Sequence, residues 1–172
     1  MRTRKPTVYL ETSVVSMLFY RGDKVADLAR HMATREWWEE ERRNFDVYAS
    51  EACEAELFQG NYPWRRLALQ FVRRLPYLPQ TRGVTTCLRI YLKERIAPET
   101  KMGDAAQLAF ATAHKMDYLM TWNCAHLANT GTQARLGELC RRMNWRCPLL
   151  VTPDTIPRAR FGQAVARRHS HV

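Results

Sequence analysis

Glu11, Glu56, Asp104 and Asn123 are oxygen-bearing side chains that fall just after β-rich runs or on the helical stretches beside them. Glu11 directly follows the apolar run Thr7-Val-Tyr-Leu10, and a carboxylate at the end of a buried strand is costly unless something pairs with it. Glu56 lies on a helical stretch, Asp104 opens another, and Asn123 follows Tyr118-Leu-Met120 by three residues. Carboxylates gathered in one cleft repel and raise one another's pKa. Mg²⁺ or Mn²⁺ relieves that repulsion, because these hard cations prefer oxygen ligands. An ion held there would activate a water and neutralise charge on a phosphodiester as its bond breaks.

Plainer readings stand beside this one. Asp104 is as well suited to capping a helix, since Ala105-Ala106 follow it. Glu56 alone reads as a solvated helix residue, with Glu51 and Glu54 nearby, and Asn123 alone as a turn residue. Cys124 and His126 could share a metal, but no second pair completes such a site.

The elements that must position these groups are legible from apolar patterning. Residues 7–10, 46–49, 117–121 and 148–152 read as strands, with a minimal strand at 77–78. Residues 14–20, 23–43, 51–59, 64–74, 84–95, 104–114 and 133–143 read as helices. Thr12 or Ser13 is the expected cap of the first helix and Ser50 that of the third; Gly60, Asn61 and Pro63 should stop the latter. Ala105, Leu108, Ala109, Thr112 and Ala113 give residues 104–114 a small-residue face. Strands alternating with helices predict an α/β fold, a mostly parallel sheet covered on both faces. Sites in such sheets form beyond the carboxyl ends of the strands, which is where the four polar residues fall.

The 172 residues suit one domain, expected over 1–157 with a basic tail at 158–172 that carries Arg158, Arg160, Arg167 and Arg168. The net charge of +10, from 27 Lys+Arg against 17 Asp+Glu, favours a polyanionic partner such as RNA, although an acidic protein would also suit it. No apolar run is long enough to span a bilayer, and Glu11-Thr-Ser13 breaks the only stretch that could resemble a signal peptide. Cys53, Cys87, Cys124, Cys140 and Cys147 are odd in number and without a CxxC pair, as expected of reduced thiols in the cytoplasm. Phe19, Tyr20, Trp37 and Trp38 supply aromatic surface that either packs internally or forms a homodimer.

In this order the motifs resemble the PIN-domain family. Tyr9-Leu-Glu-Thr-Ser13 is similar to its opening strand and acidic turn, and Glu56-Leu57 to its second acidic position. Gly103-Asp-Ala-Ala106 is similar to the third, and Tyr118-Leu-Met-Thr-Trp-Asn123 to the strand leading to the fourth. Thr121–Cys124 and His126–Asn129 resemble a bacterial branch of VapC-like toxins. The resemblance runs from about Thr7 to Thr152. It implies a three-layer α/β/α fold and Mg²⁺- or Mn²⁺-dependent ribonuclease activity, often in a type II toxin held by a cognate antitoxin. It also implies that Glu11, Glu56 and Asp104 bind the metal, that Asn123 fills the fourth position, and that Ser13 orients the site. The chain departs from the pattern twice: Glu11 stands where Asp is usual, and the neutral Asn123 where a fourth acid often stands. Three formal negative charges favour one tightly held metal over two. A binding module without catalysis and a structure-specific DNA nuclease are the competing functions.

Overall fold

Thr7–Leu10 (β1) is buried along its whole length, as a central parallel strand must be. The computed structural model describes residues 4–96 and 102–157; the expected basic tail lies outside them. After β1 come helices Thr12–Leu18 (α1) and Val25–Glu36 (α2), then Asp46–Tyr48 (β2). Helices Glu51–Gln59 (α3), Arg65–Val72 (α4), Arg82–Lys93 (α5) and Met102–Ala113 (α6) precede Tyr118–Met120 (β3). Thr130–Arg142 (α7) and Leu149–Val151 (β4) complete the described chain.

The four strands are parallel in the order β2-β1-β3-β4. Alternation along β1 sorts the core into two layers. Val8 and Leu10 face Val14, Val47, Leu57 and Val72 on one side. Tyr9 faces Leu108, Leu119 and Leu136 on the other. Helices therefore cover both faces, and the three-layer α/β/α arrangement expected from the alternating elements is present. The small-residue face of α6 lets α5 approach closely, and Tyr91 Oη donates to Thr112 Oγ1 at 2.6 Å across that contact.

Two local expectations change. The helix expected through residue 43 leaves α-geometry at Trp37, where a π-helical turn (Trp37–Glu41) and a 3₁₀ turn (Arg42–Asn44) begin. The wider turn accompanies burial of Trp37 against Phe45, ring centroids 5.8 Å apart. The minimal strand at 77–78 is a single bridge, Ala49 to Tyr77, with Leu78 N donating to Ala49 O at 2.9 Å. The aromatic residues pack within the chain: Phe19 on Phe71 at 5.3 Å, Trp38 on Phe71 at 4.8 Å and Tyr20 on Trp64 at 4.8 Å. They therefore do not require a second copy to bury them.

Among the described residues, no helix is long and apolar enough to cross a membrane.

Candidate metal centre

The chain leaves β1 toward β2 on one side and later supplies β3 on the other. The crevice between β1 and β3 is thus the point where strand order reverses, the usual site position in an open parallel sheet. Leu10 pairs with Met120, so Glu11 lies beside Thr121 at the carboxyl edge. Glu11 N donates to Met120 O at 3.0 Å, which fixes its backbone in the sheet.

Glu11, not Thr12 or Ser13, is the N-cap of α1. Its extended backbone ends the strand, and its side chain accepts from Ser13 N at 3.0 Å. The same oxygen, Oε2, accepts from Ser13 Oγ and from Thr121 Oγ1 at 2.8 Å. Ser13 Oγ in turn accepts from Trp122 N at 2.8 Å, and Thr121 Oγ1 from Asn123 N at 2.9 Å. The loops after β1 and β3 are therefore laced together through one carboxylate oxygen. Glu11 is 2% exposed. Its pKa is raised to about 7, chiefly by burial and with a smaller push from the nearby Glu56, against the hydrogen bonds from Ser13 and Thr121 that lower it.

Ser50 caps α3, accepting from Ala52 N at 3.2 Å, and the helix carries Glu56 inward. The neighbouring acids on α3 have other surroundings. Glu54 accepts from Arg73 Nε at 2.6 Å and Tyr77 Oη at 2.8 Å, bonds that lower its pKa, and Glu51 is exposed. Glu56 Oε2 accepts from Thr12 Oγ1 at 3.0 Å and Gln107 Nε2 at 2.5 Å. Gly103 makes room for it: a Cβ there would lie 3.1 Å from Glu56 Oε2.

Asp104 sits in the first turn of α6 rather than at its cap, and it is 4% exposed. Its Oδ2 accepts from Asn123 Nδ2 at 2.8 Å, while Asn123 Oδ1 accepts from His126 N at 3.2 Å. The amide is thereby held with its NH₂ toward Asp104 and its oxygen toward the loop backbone, so Asn123 reaches the cluster through Asp104. One ligand oxygen each from Glu11, Glu56 and Asp104 lie within 4.8 Å of one another. This donor set is all carboxylate oxygen, the chemistry that suits Mg²⁺ or Mn²⁺. The described ion pairs reach neither Glu11 nor Glu56. The Cys124–His126 pair gains no further ligand: Cys124 is exposed, and His126 belongs to no metal-ligand cluster among the described residues.

Gln107, Thr12, Thr121 and Gly103 were not foreseen as parts of this centre. One signal for Gln107 was available: a lone amide three residues after Asp104, on the same face of an otherwise apolar helix.

No family model matches the chain, and no curated protein matches it. Among solved structures it is similar to a chain in the crystal structure of FitAcB from Neisseria gonorrhoeae, at 15% sequence identity and a TM-score of 0.48. That similarity covers 85% of this chain and 97% of the other.

Proposed function

We propose that the chain is a divalent-metal-dependent endoribonuclease of the PIN-domain type, acting in the cytoplasm as the toxin of a type II toxin–antitoxin pair. The observation that carries the nuclease reading is the convergence of Glu11, Glu56 and Asp104 within 4.8 Å, with no cationic side chain among the described residues paired to the two glutamates. Clustered acids held by neutral donors are what a hard cation would neutralise. The toxin and antitoxin parts of the reading rest on the motif resemblance, and RNA as the polyanion on the net charge of +10.

In this reading Glu11, Glu56 and Asp104 hold the ion, Mg²⁺ or Mn²⁺, which supplies Lewis acidity and a more acidic bound water. Ser13 and Thr121 fix the Glu11 carboxylate, and Asn123 fixes Asp104. Residues 1–157 form the catalytic domain, and the basic tail adds contacts to RNA phosphates.

A side-by-side assay on single-stranded RNA, single-stranded DNA and a flapped duplex tests the proposal. The expected result is RNA cleavage that requires Mg²⁺ or Mn²⁺, stops in chelator and is lost in Asp104→Ala. Intact RNA with either metal, and no effect of Asp104→Ala in cells, would refute it. Preferential cutting of DNA would reassign the substrate.

One observation favours a second reading, a PIN-like module that binds RNA or a partner protein without cutting. Asn123 adds no charge at the fourth position and is engaged with Asp104 and His126. That reading expects salt-sensitive RNA binding that is indifferent to Mn²⁺.

A further inference from the structure

We propose that Gln107 is the positioning residue of the acidic site: its neutral amide holds Glu56 and Glu11 side by side in readiness for a divalent cation. The inference rests on the metal-dependent reading above and assigns the group that assembles the site.

Gln107 is 0% exposed, and a buried amide must satisfy its donors and acceptor. Its Oε1 accepts from Thr12 N at 3.2 Å and Tyr9 Oη at 3.4 Å. Because a backbone N–H can only donate, this end of the amide is oxygen and the other is nitrogen. Nε2 then donates to Glu56 Oε2 at 2.5 Å and Thr12 Oγ1 at 2.7 Å, with a longer approach of 3.4 Å to Glu11 Oε1. One side chain on α6 thus touches the strand β1, the cap of α1 and the inward face of α3.

The pattern of occupied oxygens gives this contact its meaning. Both described hydrogen bonds to Glu56 fall on Oε2. Three of the four to Glu11 also fall on its Oε2, leaving Oε1 with only the long Gln107 contact. Each glutamate is therefore gripped by one oxygen while the other is left to a ligand. A Lys or Arg at position 107 would pair off the acids with a full charge and oppose a cation. The amide contributes dipoles alone, in a chain that carries 27 Lys+Arg elsewhere.

The test is Mn²⁺ binding to the full chain, read from the loss of the free-ion paramagnetic resonance signal, together with apo thermal melts. The variants are Gln107→Met, Gln107→Asn, Thr12→Val and the Thr12→Val/Gln107→Met double. Gln107→Met keeps the volume and removes the polarity. Gln107→Asn keeps a buried amide but withdraws it by one methylene, and it serves alone if the Met variant does not fold. We expect each Gln107 variant to weaken Mn²⁺ binding at least tenfold. The double variant should lose less than the product of the singles, because Thr12 and Gln107 grip the same Glu56 oxygen. Mn²⁺ affinity within twofold of wild type, with only the melting temperature lowered, would overturn the proposal and leave Gln107 a core residue. A wild-type chain that binds no Mn²⁺ would instead remove the metal reading itself.

Discussion

Glu11 carries the sharpest consequences at the scale of single residues. Without metal it keeps its proton up to about pH 7, whereas an unfolded chain releases it near pH 4.3. Between those values this group holds more protons in the folded than in the unfolded state, so its contribution makes apo stability fall as pH rises. Melts in chelator from pH 4.5 to 8 should show that decline, and Glu11→Gln should flatten it; a wild-type curve that rises across the window would contradict it. Gly103 gives a second, separable prediction. A methyl group there would press on Glu56 Oε2 from 3.1 Å. Alanine ordinarily stabilises a helix over glycine by roughly 0.5–1 kcal/mol. Gly103→Ala should therefore melt no lower than wild type yet bind Mn²⁺ about tenfold more weakly, as calorimetry would show. Glu11 was legible in the sequence because a charge after an apolar strand demands a partner. Gln107 was not: its role depends on which way its amide faces, which spacing alone does not specify.

At the scale of elements, chemistry and anchoring sit at opposite ends of β1 and β3. Asp117, just before β3, accepts from Thr7 N at 2.8 Å and Thr7 Oγ1 at 3.0 Å, and pairs with Arg4 at 2.9 Å and with Arg146. Its side chain is 7% exposed but both arginines are largely exposed, so the shielded bonds are those from Thr7. Asp117→Ala should cost about 2 kcal/mol of stability in denaturant unfolding, mostly from the lost Thr7 hydrogen bonds and little from the exposed arginine pairs, while Mn²⁺ affinity, set at the other edge, stays unchanged. A Mn²⁺ affinity that fell with Asp117→Ala would show the two ends to be coupled. Element positions were readable because apolar runs and caps agree: 51–59 was expected as a helix capped by Ser50, and α3 occupies Glu51–Gln59. Failures came where tertiary contacts override local pattern. Trp37 changes the helix type as it packs on Phe45, and Tyr77 gains one bridge where a strand was expected.

At the scale of the whole molecule, a parallel sheet with helices on both faces brings acids from the cap of α1, from α3 and from α6 to one edge although they are far apart in sequence. Their order along the chain was legible; their separation was not, because it depends on crossovers and on Gly103 yielding space. On the proposed reading, RNA binding should weaken linearly in log Kd against log salt, with a slope near 0.7 per phosphate contact for a single strand. Asp104→Ala, expected not to cut, is the form in which to measure it, and a flat salt dependence would argue against the phosphate-led reading. Anomalous diffraction from a Mn²⁺-soaked crystal would show whether Glu11, Glu56 and Asp104 together hold a divalent cation. The expected result is a peak within about 2–2.5 Å of an oxygen from each of the three carboxylates. An empty cluster at saturating Mn²⁺, or a peak held elsewhere on the chain, would contradict it.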